Sequence, residues 1–286
     1  MANRETPAPS EYAIDALGVR HARCTGETRI VSLVPSLTEL LFTLGLGAKV
    51  VGRTGFCVHP QPEIRRVPKV GGTKDVDLDR VPSLAPTHLI VNVDENRKEV
   101  VAALRSAVPH IIVTHPLKAD DNVALFRLFG AIFAREEAAE TLCRQFLQSK
   151  DALREAAQAW QAASALYLVW RNPWMTVSRA TYISDMLRLA GWGTLPEQAT
   201  ARYPEAGEQD WQRADILLLA TEPYRFRERD VAELRGCLGA ERSVALIDGE
   251  MVSWYGSRAI AGLRYLREFR ASLEAEKKAA ADRRRP

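Results

Sequence analysis

Aromatic and charged side chains follow several short apolar runs in this sequence, and these residues are the best suited to bind a ligand. The apolar runs predict buried strands of a parallel sheet, and such sheets bind ligands beyond the carboxyl ends of their strands. Large rings with polar groups suit a broad, flat or cyclic ligand. The alternative is that Trp170 and Trp254 only cover the end of a sheet. The segments at the predicted strand ends are 35–36, 53–56, 72–74, 92–97, 170–174, 202–204 and 253–258.

Sequence signatures of catalysis are mostly missing. Segment 45–50 lacks the third glycine of a dinucleotide-binding fingerprint, and Gly71-Gly72-Thr73-Lys74 lacks the leading glycine of a phosphate loop. Neither a Gly-x-Ser-x-Gly nor a His-Glu-x-x-His motif occurs, and the five histidines form no ligand-spaced pair. Cys57-x-His59 is a weak metal motif that loop packing explains better. We therefore expect a protein that is not an enzyme and has no catalytic residue, resident metal or cofactor.

The composition is that of a globular protein of about two domains. The 286 residues are 47% hydrophobic and 26% charged, with a formal net charge of +3. This charge is too small to favour nucleic-acid binding. The basic residues at 277–278 and 283–285 are interpreted as a solvated helix end. The four cysteines, at 24, 57, 143 and 237, include no Cys-x-x-Cys pair and are expected to be free thiols.

The first ten residues are polar and contain prolines, so we expect them to be disordered. They also lack the apolar segment of a secretory signal. No run approaches the roughly 18 apolar residues that a membrane-spanning helix needs. The sequence as it stands is consistent with a cytoplasmic protein, or with one from which a leader has been removed.

Residues 11–118 are expected to form an N-terminal α/β lobe. Ser36-x-x-Glu39 is typical of a capping box at the start of a helix over 37–44, which Gly45 would end. Strands alternating with helices predict a parallel sheet covered on both faces. The predicted strands are 29–35, 49–52, 88–93 and 110–114, and the further helices are 77–81 and 95–107.

Residues 119–163 are expected to form a helical connector, and residues 164–286 a second α/β lobe with a basic tail. Within the connector, Gly130 would interrupt the helical segment and separate a medium helix from a long one. The long helix, over 135–160, would be roughly 37 Å in length. The predicted fold class is therefore α/β, with two Rossmann-like lobes joined by a single long helix. In the second lobe the predicted strands are 166–170, 215–220 and 244–247, and the predicted helices are 182–189, 230–236 and 257–276.

Three segments carry a resemblance to a known family. Residues 29–42, Val-Gly-Gly-Thr-Lys at 70–74, and the Asp77-Leu78-Asp79-Arg80-Val81 segment resemble the periplasmic binding proteins of ABC importers. Within this family the sequence resembles the helical-backbone type, class III, and it is most similar to the cobalamin-binding proteins. It covers about residues 12–272. The resemblance implies two lobes joined by a long helix, with the ligand held between them, and a location in the periplasm.

The resemblance also implies which rings contact the ligand. Phe56 matches an aromatic residue that packs on the corrin ring, and Tyr203 matches another in the opposite lobe. Trp174 or Met175 falls at a further ring contact, and Glu250 falls where an acid bonds the side-chain amides of the ligand. Trp254 and Tyr255, which follow a predicted strand, are also expected to contact the ligand, in addition to Phe56, Trp174 and Tyr203.

Two departures from the family pattern occur in the first lobe, where Thr73 and Asn92 stand in place of tryptophans. Both positions are still expected to contact the ligand. We expect Lys74, Arg171 and Arg258 to meet carboxylates or phosphate on the rim of the ligand.

Docking onto a membrane permease is implied through one acidic residue on each lobe. Asp79 matches the first position, where glutamate is usual, and the second falls at Glu208-Gln209, with Glu208 as the acid. The alternative for both is a solvated acid at a helix N-terminus, which the helix dipole favours.

The predicted function is capture of a cobalamin-like corrinoid, haem or ferric siderophore for delivery to an ABC importer by a monomeric binding protein. One alternative is an intracellular protein that binds a corrinoid or metal complex without a permease. A second alternative is a metal-dependent enzyme that uses Cys57 and His59.

Overall fold

The structure, a computed structural model, describes residues 12–239 and 242–283. The chain divides into two compact units. Unit 1 comprises Met1–Pro116 and Asn122–Arg144, and unit 2 comprises Leu117–Asp121 and Gln145–Pro286. The expected disorder of residues 1–10 and the end of the basic tail at 284–285 lie outside the described residues.

Unit 1 is built on a parallel sheet of four strands. The strands lie in the order β4 (Val50–Arg53), β3 (Ile30–Ser32), β5 (His88–Asn92) and β6 (His110–Thr114), and His88 pairs with His110 while Asn92 pairs with Thr114. All five residues of β5 are buried, as expected of a central strand with both faces covered. The elements in chain order are β1 (Tyr12–Ile14), β2 (Arg20–Ala22), β3 (Ile30–Ser32), α1 (Pro35–Thr43), β4 (Val50–Arg53), α2 (Arg80–Ser83), β5 (His88–Asn92), α3 (Lys98–Leu104), β6 (His110–Thr114), α4 (Asp121–Phe133) and α5 (Glu136–Ala157), which continues into unit 2.

A hairpin formed by β1 and β2 covers the outer edge of this sheet. The Asp15 carboxylate accepts a hydrogen bond from the Val113 amide at 3.1 Å, and the Ala16 amide donates to the Val113 carbonyl at 3.0 Å. Val113 lies on β6, the edge strand, so the hairpin turn satisfies backbone groups that the sheet leaves unpaired. This hairpin was not predicted from the sequence.

Unit 2 repeats the same architecture. Its strands lie in the order β10 (Ser243–Ile247), β9 (Ile216–Ala220), β7 (Ala163–Leu168) and β8 (Trp192–Thr194), with all neighbouring strands parallel. Leu166, Leu168, Leu217, Leu219 and Phe226 pack together in its core. The elements in chain order are β7 (Ala163–Leu168), α6 (Tyr182–Leu189), β8 (Trp192–Thr194), α7 (Glu208–Arg213), β9 (Ile216–Ala220), α8 (Glu228–Leu238), β10 (Ser243–Ile247), α9 (Gly249–Ser253) and α10 (Arg258–Arg283).

The predicted fold class is confirmed: two α/β units with parallel sheets are present, and the long helix α5 leads from one to the other along the chain.

Each sheet has a topological switch point, where successive connections leave in opposite directions. It lies between β3 and β5 in unit 1 and between β7 and β9 in unit 2. Ligands of open α/β sheets bind at such points.

The predicted capping box at Ser36 is wrong. Helix α1 begins at Pro35, after the extended residue Val34, and no side chain caps it. Proline suits this first helical position because it has no N–H to satisfy and its φ is already helical. Ser36 therefore lies inside the first turn, where its Oγ is buried and forms no hydrogen bond with the residues that the structure describes.

Gly130 does not break the helical segment. It lies within α4, and the chain turns at Ala134, which has a φ of 55°. A Cβ on Gly130 would lie 2.6 Å from the Cβ of Ala139 on α5. Glycine at this position therefore lets the two helices pack closely.

Candidate functional site

Asn96 joins three backbone segments at the carboxyl ends of the unit 1 strands. Its Nδ2 donates to the carbonyl of Thr73 at 2.9 Å and to that of Leu33 at 3.3 Å. Its Oδ1 accepts from the backbone amide of Asn92 at 2.9 Å. Leu33 follows β3 and Asn92 ends β5, so this buried amide lies at the switch point of the sheet. Asn96 thus fixes the loops that carry the predicted contacts of unit 1.

Asn92 uses its side chain within unit 1. It is 4% exposed, its Oδ1 accepts from the Asp94 amide at 2.8 Å, and its Nδ2 lies 3.4 Å from Thr114 Oγ1. Thr73, whose carbonyl Asn96 holds, is half-buried, and Lys74 is exposed. The structure therefore gives Asn92 a role in ordering the end of β5, and its ligand contact stays a prediction.

Phe56 has an exposed ring next to backbone that is held by a hydrogen bond. It follows β4 and is 62% exposed. The Gly55 amide donates to the Gly71 carbonyl at 2.7 Å, and a Cβ on Gly72 would lie 3.4 Å from the Phe56 ring. The two segments are therefore bonded beneath an exposed aromatic surface, which suits contact with another apolar surface.

Cys57, next to Phe56, belongs to the core. Its thiol is fully buried and lies 3.1 Å from Thr38 Oγ1 and 3.2 Å from Thr54 Oγ1. Burial raises the pKa of this thiol. These surroundings are those of a structural thiol and do not fit the metal site considered for Cys57 and His59. Within 12–239 and 242–283, no cluster of three or more histidine, cysteine or acidic side chains is arranged to hold a metal ion.

All four cysteines are free, as the sequence predicts. Three of them are buried or half-buried, as we also expect of such thiols, but Cys237 is exposed.

Trp170 lies at the switch point of unit 2, just beyond β7, and is 43% exposed. Its ring meets the ring of Tyr224 edge to face, with centroids 5.5 Å apart. The Tyr224 amide donates to the carbonyl of Val169 at 3.3 Å, so the segments that follow β7 and β9 are bonded together. Trp170 is not among the expected ligand contacts, although its position after a strand could have placed it there.

Trp174 and Arg171 pack against their own unit. The Trp174 ring stacks on Phe226 at 5.8 Å, with 2° between the ring planes. The Arg171 guanidinium lies 5.3 Å from the centre of the Trp174 ring, and its nitrogens are 3.1 Å from Asp230 and 2.5 Å from Glu233. The charge of Arg171 is therefore balanced within unit 2. Contact of either residue with a ligand stays a prediction.

Tyr203 lies on a segment whose backbone is held on both sides. The Ser178 amide donates to the Arg202 carbonyl at 2.8 Å, and the Thr176 amide donates to the Pro204 carbonyl at 2.9 Å. The side chain of Tyr203 is 45% exposed. Like Phe56, it is an exposed ring on an ordered backbone.

Trp254, Arg258 and Glu250 form a chain of contacts that ends on Glu222. The Trp254 Nε1 donates to Glu222 Oε1 at 2.7 Å. The Arg258 guanidinium lies over the Trp254 ring at 4.9 Å and pairs with Glu250 at 3.1 Å. Burial raises the pKa of the Glu222 carboxyl, and the nearby Glu250 and Asp248 carboxylates add to that effect. Glu222 was not predicted as a site residue, because nothing in the sequence links it to residues some thirty positions later.

Tyr255 is 7% exposed and meets the ring of Tyr182 edge to face at 5.8 Å. Trp254 is almost as buried, at 8%. Both rings are therefore largely packed within unit 2, in contrast to Tyr203 and Trp170. Their contact with a ligand stays a prediction.

The two predicted docking acids are both exposed. Asp79 precedes α2, but Asp77 provides the cap there, accepting from the Arg80 amide at 2.9 Å. Glu208 is the first residue of α7, and its Oε1 accepts from Gln212 Nε2 at 3.1 Å. Glu208 also lines an open hollow of about 650 Å³ with Trp211 and Leu238.

No helix in the described ranges is both long and apolar enough to cross a bilayer.

Comparison with known proteins gives a consistent result. The family model described as "Periplasmic binding protein" matches residues 30–222. The vitamin B12-binding protein of Pectobacterium carotovorum is 23% identical over 183 residues, which are 63% of this chain and 66% of that protein. The matched part thus spans just under two thirds of that relative's length. The vitamin B12-binding protein of Yersinia pestis is 21% identical over 203 residues, 71% of this chain and 72% of the relative.

Among solved structures, the periplasmic vitamin B12 binding protein BtuF of Vibrio cholerae has a TM-score of 0.75 at 18% identity, covering 86% of this chain and 97% of that one. The periplasmic heme-binding protein RhuT from Roseiflexus sp. RS-1 has a TM-score of 0.73 at 24% identity, covering 85% and 97%. The TM-scores establish a shared fold, and at identities this low they establish no more than that.

Proposed function

This chain belongs to the periplasmic binding protein family, and from that premise we propose that it is a substrate-binding protein of an ABC importer, with a cobalamin-like corrinoid or a related metal chelate as its ligand. Its relatives and fold neighbours are binding proteins rather than enzymes. Two of the similar proteins are named for vitamin B12 and for heme, both of them large ring-shaped metal complexes.

The observation that carries the proposal is the set of exposed rings at the carboxyl ends of the strands. Phe56, Trp170 and Tyr203 are 62%, 43% and 45% exposed, respectively. Each lies on backbone held by hydrogen bonds, so little conformational freedom would be lost when a ligand covers the ring. Burial of apolar surface is favourable by about 25 cal/mol per Å². We propose that these rings contact the flat faces of the ligand.

Polar groups of each unit would set the orientation of the ligand. Lys74 is an exposed cation in the same loop as Thr73, and it would meet a negatively charged group on the ligand rim. Glu250 and Arg258 are paired at 3.1 Å in unit 2, so they would act there as a joint donor and acceptor. Arg171, Trp174 and Asn92 would act mainly by holding their loops in place.

The test is titration of the full chain with cyanocobalamin, dicyanocobinamide, haemin and a ferric siderophore, followed by absorbance or calorimetry. We expect at least one of these probes to bind with a micromolar or lower Kd, which corresponds to about 8 kcal/mol or more. If none binds more tightly than millimolar, the proposal is wrong. The probe that binds most tightly also identifies the ligand class.

We also propose that the protein works in the periplasm as a monomer, with Asp79 and Glu208 forming ion pairs with arginines of the permease. Both acids are exposed, which a docking contact requires. Replacing both by alanine should leave the Kd of the ligand unchanged and abolish uptake in cells that depend on this protein. Unchanged uptake would refute this docking role. Fractionation of cells that express the natural gene would test the location.

A further inference from the structure

Glu222 lies at the switch point of unit 2, two residues after β9, and bonds to residues from another part of the chain. Its Oε1 accepts two hydrogen bonds, from Trp254 Nε1 at 2.7 Å and from Ser253 Oγ at 2.9 Å. A carboxylate acceptor makes such bonds stronger than a neutral one does. The indole N–H of a buried tryptophan needs a partner, and Glu222 provides it.

The backbone around Glu222 is packed tightly against the start of α9. A Cβ on Gly249 would lie 2.6 Å from Glu222 Cγ and 2.9 Å from the Glu222 amide nitrogen. The Gly249 amide donates to Thr221 Oγ1 at 2.9 Å. The segment that carries Glu222 and the helix that leads to Trp254 are therefore joined at both ends of α9.

Trp254 in turn contacts Arg258, which pairs with Glu250; both residues are expected to contact the ligand. The Arg258 guanidinium lies 4.9 Å from the centre of the Trp254 ring, and Glu250 holds the same guanidinium at 3.1 Å. The ring is thus held at its N–H edge by Glu222 and covered on a face by Arg258. A tilt of the indole would displace Arg258 and, with it, the ion pair.

We propose that Glu222 is a positioning residue of the ligand site: its carboxylate fixes the Trp254 indole and, through it, the Arg258–Glu250 pair. The inference rests on the proposed function, since it assigns Glu222 a role at the same site. The burial that raises the pKa of Glu222 supports it, because a carboxylate that has lost hydration depends on the donors that Trp254 and Ser253 supply.

The first experiment needs no ligand. In full-length protein labelled with ¹⁵N-tryptophan, the indole signal of Trp254 is identified by its loss in Trp254→Phe. Glu222→Met keeps the volume of the side chain but removes the acceptor, so the Trp254 signal should shift. Glu222→Gln keeps an acceptor oxygen, so its signal should stay closer to that of the wild type. A Trp254 signal unchanged in Glu222→Met would overturn the proposal.

The second experiment measures the Kd of cyanocobalamin. Glu222→Met should weaken binding by about tenfold, and Glu222→Gln by no more than about threefold. Because Glu222 acts through Trp254, Glu222→Met should have little further effect in a Trp254→Phe background. Glu228→Met, an exposed glutamate on α8, is the matched control and should bind like the wild type. Fully additive effects of the two substitutions would refute positioning through Trp254.

The outcomes separate this inference from the proposed function. If the wild type does not bind cyanocobalamin, the corrinoid assignment fails, and the indole signal alone then decides whether Glu222 fixes Trp254. If the wild type binds and Glu222→Met binds equally well, only the positioning role fails. Should Glu222→Met not fold, Trp254→Phe tests the same bond from the donor side, and an unchanged Kd would overturn the inference.

Discussion

Asn96 Nδ2 lies 2.9 Å from the backbone oxygen of Thr73, and through this bond a residue beyond β5 holds a loop that precedes α2. The same amide group also donates to the Leu33 carbonyl. Three loops of unit 1 therefore share one buried side chain. The contribution of Asn96 to stability depends on its amide nitrogen, which donates both bonds. An aspartate has the same shape, but its carboxylate cannot donate a hydrogen bond.

Asn96→Asp should destabilise the protein by about 1–3 kcal/mol, since the buried Leu33 carbonyl and the part-buried Thr73 carbonyl lose their donor and meet a negative charge instead. Urea unfolding at neutral pH measures this change. Thr73→Ala is the control: the bond uses the backbone oxygen of Thr73, so this variant should be close to wild type in stability. Equal stability of Asn96→Asp and wild type would contradict the assigned role.

Replacing Phe56 and Tyr203 together by alanine should abolish binding of the best probe while leaving the Tm nearly unchanged. Both rings are largely exposed, so their removal takes little apolar surface out of the folded core. Leu17→Ala, at an equally exposed position in the β1–β2 turn, is the control for loss of exposed apolar surface. Retained binding would show that the exposed rings do not contact the ligand.

Gly130→Ala should destabilise unit 1 by about 1–3 kcal/mol, because the added methyl group would overlap with Ala139 across the α4–α5 contact. The double variant Gly130→Ala, Ala139→Gly moves the methyl group to the other helix and should recover part of the loss. Denaturant unfolding of the two variants checks this. A stabilising effect of Gly130→Ala alone would mean that helix propensity outweighs packing at this contact.

His88 should make stability depend on pH below neutrality. Burial, followed by the charges of His110 and His21, lowers the pKa of His88 from 6.5 to about 4. The unfolded chain thus takes up this proton near pH 6.5 and the folded chain only near pH 4. Stability that is present above pH 6.5 is therefore lost as the pH falls toward 4.

For His88 alone, the expected loss between pH 7 and pH 5 is roughly 1–2 kcal/mol, from about 1.4 kcal/mol per pKa unit. Urea unfolding at the two pH values measures it. His88→Phe keeps a ring to stack on His110 and cannot be protonated, so its stability should change less with pH. An equal pH dependence in both proteins would assign the effect to other groups.

Regular periodicity predicted most of the elements that carry the core. Helix α6 and strand β6 have the predicted bounds, because apolar residues recur at helical spacing in α6 and form an uninterrupted run over 111–113 in β6. Short elements were missed, among them β1, β8 and α9. Three to five residues carry too little periodicity to be recognised, and they are held by tertiary contacts such as that of Gly249 with Glu222.

The exposure of a side chain was predictable where its position after a strand decides it. Phe56 and Tyr203 are exposed rings near the expected strand ends. Arg171 and Trp174 were predicted from the same rule. In the structure Arg171 forms an ion pair with Glu233, and the Trp174 ring stacks on Phe226. Both partners are more than fifty residues away in sequence. Asn96 and Glu222 act through partners that only the folded chain brings near. Spacing in a sequence contains no information about such partners.

The bond between the Asp15 turn and Val113 has a practical consequence for anyone who shortens this protein. A fragment starting at Arg29 would keep every strand of the unit 1 sheet but leave β6 with a bare hydrogen-bonding border. Such borders recruit strands from other molecules, so the trimmed fragment should self-associate as its concentration rises, even with its interior intact.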